Sequence, residues 1–184
     1  TLEQANEALE SFFEGQRQIA VEIATLLAQP ASDLRADSVL RLAPQLGRYL
    51  PGEALGSMDA LLAPEPLQAV QDAGLRSSLA GFRTIVLWTR TVMDQNRDFI
   101  LDTWMEFGLT HFDLRTGGFW AQEPEAPPPT RHVRDGTTLI ESPVFENLID
   151  SHVAHYRNVL GSSDALTNGI NRARDATEAR LGEL

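Results

Sequence analysis

Leu2, Ala5, Leu9, Phe12, Gln16, Ile19, Ile23 and Leu26 step through the start of the chain by three and four residues in alternation. An α-helix brings residues at this spacing onto one face. The pattern therefore predicts a helix whose seam packs along another helix for its full length, with Pro30 as the stop. The repeat is already under way at Leu2. It is expected to continue upstream in a longer protein, most economically into a membrane-spanning segment.

A second helix is predicted over residues 75–107. On a wheel of about 100° per residue, Phe82, Ile85, Val86, Trp88, Val92, Met93, Phe99, Ile100, Trp104 and Phe107 fall on one broad apolar arc. Arg76, Arg83, Arg90 and Arg97 stand opposite it. A third helix is predicted from residue 142 toward the C-terminus. Ser142 is its N-cap, Pro143 lies in its first turn, and Phe145, Leu148, Ile149, Val153, Tyr156, Val159, Leu160, Leu166, Ile170 and Leu181 lie on its inner side.

Between these elements the pattern changes. Residues 31–73 carry Pro44, Pro51, Pro64 and Pro66 with Gly47, Gly52 and Gly56, and read as short helices, one covering Glu53 to Leu62 and one capped by Asp37 or Ser38. Residues 108–141 read as an irregular insertion. Phe119 with Trp120, and Thr137 to Ile140, have the composition of small strands, and Pro124, Pro127, Pro128 and Pro129 lie in an extended polyproline-type stretch. The expectation is a single all-α domain over residues 1–184. It would be an elongated bundle of three long helices with short accessory helices and one long Pro-rich loop, more than about 60% helical against a usual third.

Charge narrows the function classes. All 15 basic residues are Arg, and the net charge is −11. That balance argues against nucleic acid and against anionic membrane surfaces, both of which require a basic face. No cysteine is present, so disulfides, thiolate catalysis and Cys-ligated zinc are excluded. No phosphate-binding, hydrolase or metalloprotease motif occurs, which leaves no sequence evidence for an enzyme or a cofactor.

Three sets of residues are candidates for chemistry or contact. His152 and His155 lie one turn apart, a spacing that can place two imidazoles on one metal, but His152 falls within the apolar arc and reads more simply as a core histidine. Asp94, Asp98, Asp102 and Glu106 recur every four residues. With Arg90 and Arg97 nearby they read as a solvated, salt-bridged face. Thr89, Asn96 and Thr103, seven apart within the apolar arc, and Gln16 within the first seam are polar where the helix is expected to be buried. They either set register or line a polar pocket for a small ligand, with Asn96 expected to bond across to another long helix and Gln16 as a candidate partner. Leu87, Leu101 and Met105 lie on the polar face of the same helix and need a cover, from residues 31–73, from the 108–141 insertion or from a partner protein.

Asp59, Leu61, Leu62, Leu67, Val70, Asp72, Leu75, Arg76 and Leu79, together with Phe145, Glu146, Asn147, Leu148 and Ile149, form a pattern of apolar spacing over about a third of the chain. It resembles a broad group of uncharacterised bacterial single-pass membrane proteins with a helical extracytoplasmic domain. Pro64, Glu65 and Pro66 depart from that pattern, in which a small residue and glycine are usual. The resemblance implies an anchor in the inner membrane and a domain in the periplasm or otherwise outside the cytoplasm. It implies no activity and no functional residue. The resulting expectation is an interaction or assembly module, working with a protein partner or by self-association. A ligand-binding sensor domain is the alternative.

Overall fold

The computed structural model describes residues 2–30, 32–47, 62–111 and 136–182. Of these, 91% are helical and none is in a strand, so the fold class is all-α. The predicted Glu53–Leu62 helix, the possible strand at Phe119 and Trp120, and the proline-rich stretch lie outside the described residues, apart from Leu62, which begins a turn.

The first long helix, α1, spans Leu2–Leu27. Its buried row runs through Asn6, Leu9, Phe13, Gln16, Ala20 and Ile23, while Phe12, Ile19 and Leu26 are half-buried on its flank. The three–four spacing holds, but the buried row takes Phe13 and Ala20 in place of Phe12 and Ile19. After Pro30, α2 spans Asp33–Leu42. Its N-cap is Ser32, whose hydroxyl accepts from the Arg35 amide, and neither Asp37 nor Ser38 caps it. A 3-10 turn over Ala43–Gly47 follows, and after the undescribed stretch comes α3 over Pro64–Ala69.

Asp72 opens the second long helix by accepting from the Leu75 amide at 2.7 Å. This helix, α4, spans Ala73–Asp98, continues as a π-helical turn over Phe99–Trp104 and ends as α5 over Met105–His111. The helical run therefore extends past the expected end at residue 107. The expected insertion also contains α6, Gly136–Ile140, so Thr137 to Ile140 form a helix and not a strand. Finally, α7 spans Pro143–Leu181, with the Ser142 hydroxyl 3.4 Å from the Phe145 amide as its cap. Gly161 and Gly169 do not interrupt it.

The chain divides into two compact units, and α1, α4 and α7 each contribute to both. The first contains Thr1–Ser11, Leu50–Gln95 and Asn158–Leu184. Phe82, Val86, Val92, Val159 and Leu166 form its interior. Gly169 is needed here for packing, because a Cβ on it would lie 2.8 Å from the Phe82 ring and 3.2 Å from Ile85. The second unit contains Phe12–Tyr49 and Asn96–Arg157. Phe13, Val39, Leu46, Ile100, Trp104, Phe145, Ile149 and Tyr156 are its core. Within it α6 packs on α2, where a Cβ on Gly136 would approach Ala36 to 3.1 Å and Leu40 to 2.7 Å.

The π-turn resets which side chains of the helical run face inward. From Phe82 the inner positions are Val86, Thr89, Met93, Asn96 and Ile100, and regular continuation would place Thr103 inside. A π-turn inserts one extra residue into the helical repeat. Trp104 is therefore the buried residue, at 3% exposure, and Thr103 is in solvent.

Candidate functional site

The polar residues singled out by the sequence fall in both units. Thr89, in the first unit, is fully buried and donates its hydroxyl to the Ser162 carbonyl at 3.2 Å, tying α4 to α7. Thr103 is exposed and leaves the set. Gln16 and Asn96 are both buried in the second unit, but the expected bond between them does not form. Gln16 Oε1 and Asn96 Oδ1 each lack a hydrogen-bond partner among the described residues. An unpaired buried amide costs about 1–3 kcal/mol. Asn96→Leu, close in volume and free of that cost, is expected to raise stability by about 1 kcal/mol, or Tm by roughly 2–4 °C. A thermal melt monitored by circular dichroism checks this. A lower Tm would mean that the amide is paired in solution.

The same unit contains an aromatic cluster built around His152. Phe99 stands edge-on to the His152 ring at 4.8 Å and stacks on His155 at 4.4 Å, so both imidazoles pack against one phenyl ring. Trp104 meets His152 edge-on at 4.4 Å. Phe107 stacks on His111 at 4.0 Å and lies 5.8 Å from Phe145. His111 thus closes α5 on an aromatic face instead of lying in an irregular segment.

Hydrogen bonding sets the state of His152. The Tyr156 hydroxyl donates its one proton to the Leu46 carbonyl at 3.0 Å. The contact of 3.2 Å between His152 Nδ1 and that hydroxyl then requires Nδ1 to be the donor. Nε2 is left as a buried lone pair with no partner among the described residues. Burial, with a smaller effect from neighbouring His155, holds the pKa of His152 down to about 3, so the imidazole is neutral at physiological pH. Burial likewise lowers the pKa of His155 and raises that of the Tyr156 hydroxyl. Neither His152 nor Tyr156 is therefore poised for proton transfer near neutrality. No group of three or more His, Cys, Asp or Glu side chains able to hold a metal comes together among the described residues.

Two polar arrangements were not expected from the sequence. In the first unit, Asn6 Nδ2 donates to Thr167 Oγ1 at 2.6 Å and to Glu10 Oε1 at 2.9 Å. Ser163 Oγ lies 2.7 Å from Asn6 Oδ1 and 3.0 Å from Glu10 Oε1. The signal was available, since Ser163 lies one heptad beyond Tyr156 on the inner row of α7. In the second unit, the buried Arg35 guanidinium donates to the Gln29 and Ile140 carbonyls. Nothing in the sequence distinguishes that arginine from one facing solvent.

Several large apolar side chains remain on the surface. Leu87 and Leu101 are 41% and 38% exposed, and Met105 is half-buried. Trp88, expected within the core arc, is 47% exposed. Thr84, Leu87, Trp88 and Thr91 occupy positions i, i+3, i+4 and i+7 of α4, all exposed and all in the first unit. Thr84 and Thr91 donate their hydroxyls to the Ala80 and Leu87 carbonyls of their own helix. With those hydroxyls satisfied, the stripe offers methyl groups beside a leucine and an indole.

Comparison with protein-family models, with curated proteins and with solved structures finds no match to this chain.

Proposed function

We propose that the chain is a helical interaction module in which α1, α4 and α7 provide a three-helix frame and the exposed stripe of α4 provides the contact. The observation that carries this reading is the placement of Thr84, Leu87, Trp88 and Thr91. Residues at this spacing form the seam along which a second helix packs. Tryptophan is also among the residues that contribute most to protein–protein affinity when an interface covers them. The partner we take is a second copy of this chain, because two stripes with the same three–four spacing can interdigitate.

Sedimentation equilibrium of the full chain tests the proposal. Association that rises with concentration is expected, weakened at least tenfold by Trp88→Ser, a change of about 1.4 kcal/mol. The far-ultraviolet circular dichroism of the variant should match the wild type, since the indole is at the surface. A chain that stays monomeric at every concentration, or a variant that associates as well as the wild type, overturns the reading. The membrane-attached, extracytoplasmic setting belongs to the same proposal and rests on the family resemblance. None of the described helices is long and apolar enough to cross a membrane, and fractionation of the native gene product tests the attachment.

A further inference from the structure

Independently of that stripe, the first unit contains a cleft of about 310 Å³ between α4 and α7. Its floor is apolar. Phe82 is buried and Ile85 half-buried, and both seat against Gly169, where no Cβ intervenes. Its rim carries hydrogen-bond donors. Ser77 and Ser78 are exposed there and their hydroxyls make no hydrogen bond among the described residues, whereas the Thr84 and Thr91 hydroxyls of the same helix bond back to their own backbone. Arg172 completes the rim. Its Nε donates to the Asn168 carbonyl at 3.2 Å, which orients the guanidinium, and its terminal nitrogens have no carboxylate partner among the described residues. Among the described residues, no acidic side chain lines the cleft.

Gly81 adds a separate observation. It sits in the interior of a 26-residue helix, where glycine costs about 0.5–1 kcal/mol relative to alanine. A Cβ there would meet nothing within 4 Å, so packing does not require the glycine. Its missing side chain instead holds the cleft open.

We propose that this cleft binds a small amphipathic monocarboxylate, with the carboxylate on Arg172 and the Ser77 and Ser78 hydroxyls and the apolar body on Phe82 and Ile85. Guanidinium and carboxylate match as a planar, two-bond pair. A volume of this order, apolar below with a few convergent polar groups above, is the usual composition of a small-molecule site. Recognition of the anion is local, because the chain as a whole carries −11.

The test is calorimetric titration of the full chain with octanoate, with octanol as the uncharged control. Saturable binding of octanoate is expected, at least about tenfold tighter than octanol, since a hydrogen bond to a charged group contributes enough for that factor. Arg172→Gln should remove most of this preference. Gly81→Leu should abolish binding by filling the cleft while thermal stability holds or rises, because leucine is the better helix former and its Cβ has open space. Non-saturating uptake, equal affinity for octanol and octanoate, or full binding by both variants would each overturn the proposal. Trp88→Ser should bind octanoate normally, which separates this site from the association surface.

Discussion

Tyr156→Ala is expected to lower folding stability by about 3–5 kcal/mol, the range for truncating a fully buried aromatic side chain. Tyr156 has no exposed surface. Its ring lies 6.0 Å from that of Phe13 and 5.5 Å from that of His152. Its hydroxyl serves two partners, the Leu46 carbonyl at the end of the 3-10 turn and His152 Nδ1. Set against a typical total of about 5–15 kcal/mol, the loss would move the chain to the edge of unfolding at ordinary temperature. Tyr156→Phe separates the two contributions. It keeps the ring and leaves a carbonyl and a buried imidazole N–H unpaired, which should cost about 1–3 kcal/mol. Urea denaturation of both variants checks the order. If Tyr156→Phe were as stable as the wild type, the hydroxyl would not be holding the turn.

The second large effect is expected at Arg35. Its guanidinium is buried with no carboxylate bridged to it among the described residues; its two terminal nitrogens donate to main-chain oxygens, and Nε has no partner there. One is the Gln29 carbonyl, just past the end of α1, and the other is the Ile140 carbonyl at the last residue of α6, 3.3 Å away. Helix C-termini leave carbonyls unpaired and carry partial negative charge, so the arginine answers both needs. Pro143, three residues beyond Ile140, has no N–H with which to do the same. Two effects oppose each other in Arg35→Ala. Truncation relieves the desolvation of a guanidinium, but it strands two carbonyls at about 1–3 kcal/mol each and leaves a cavity. Guanidinium is weakly hydrated, so the second effect should win, with a net loss of about 3 kcal/mol and a Tm lower by roughly 10 °C. Arg35→Lys should recover only part of this, because one ammonium cannot reproduce the two-pronged fork. An Arg35→Ala variant that melts with the wild type would show that water replaces the arginine.

Sequence periodicity made α1, α4 and α7 legible because a row of apolar residues at three–four spacing has few alternatives to a helix. The spacing puts Leu9, Gln16 and Ile23 on one row of α1, and all three are buried. Which neighbour joins them was not legible. Phe12 and Phe13, Ile19 and Ala20, and Leu26 and Leu27 are adjacent apolar or small pairs, and a helix turning only about 100° from one residue to the next can bury either member. Trp88 shows the same limit. It lies within the apolar arc yet is 47% exposed, and no wheel reports where neighbours end. The polar set failed for a different reason. Thr89 and Asn96 are buried as expected, whereas Thr103 falls beyond the start of a π-turn, where a wheel of constant pitch no longer applies.

By itself the sequence determined that the described chain is helical, where the first long helix ends and the last begins, and which chemistries its composition excludes. Pro30 closes the first helix and Ser142 with Pro143 opens the last, because these residues act on their own backbone and need no distant partner. Only the tertiary structure decided the rest. Seating Phe13 against Tyr156 turned α1 onto one of its two possible rows, and one extra residue in the π-turn exchanged Thr103 for Trp104. Packing on α2 made a helix of Thr137 to Ile140, whose composition favours a strand. Arg35 acquired its role when two chain segments more than a hundred residues apart brought their carbonyls to it. Each of these depends on which surfaces meet, and that is set by shape and burial across the fold, not by any run of neighbouring residues.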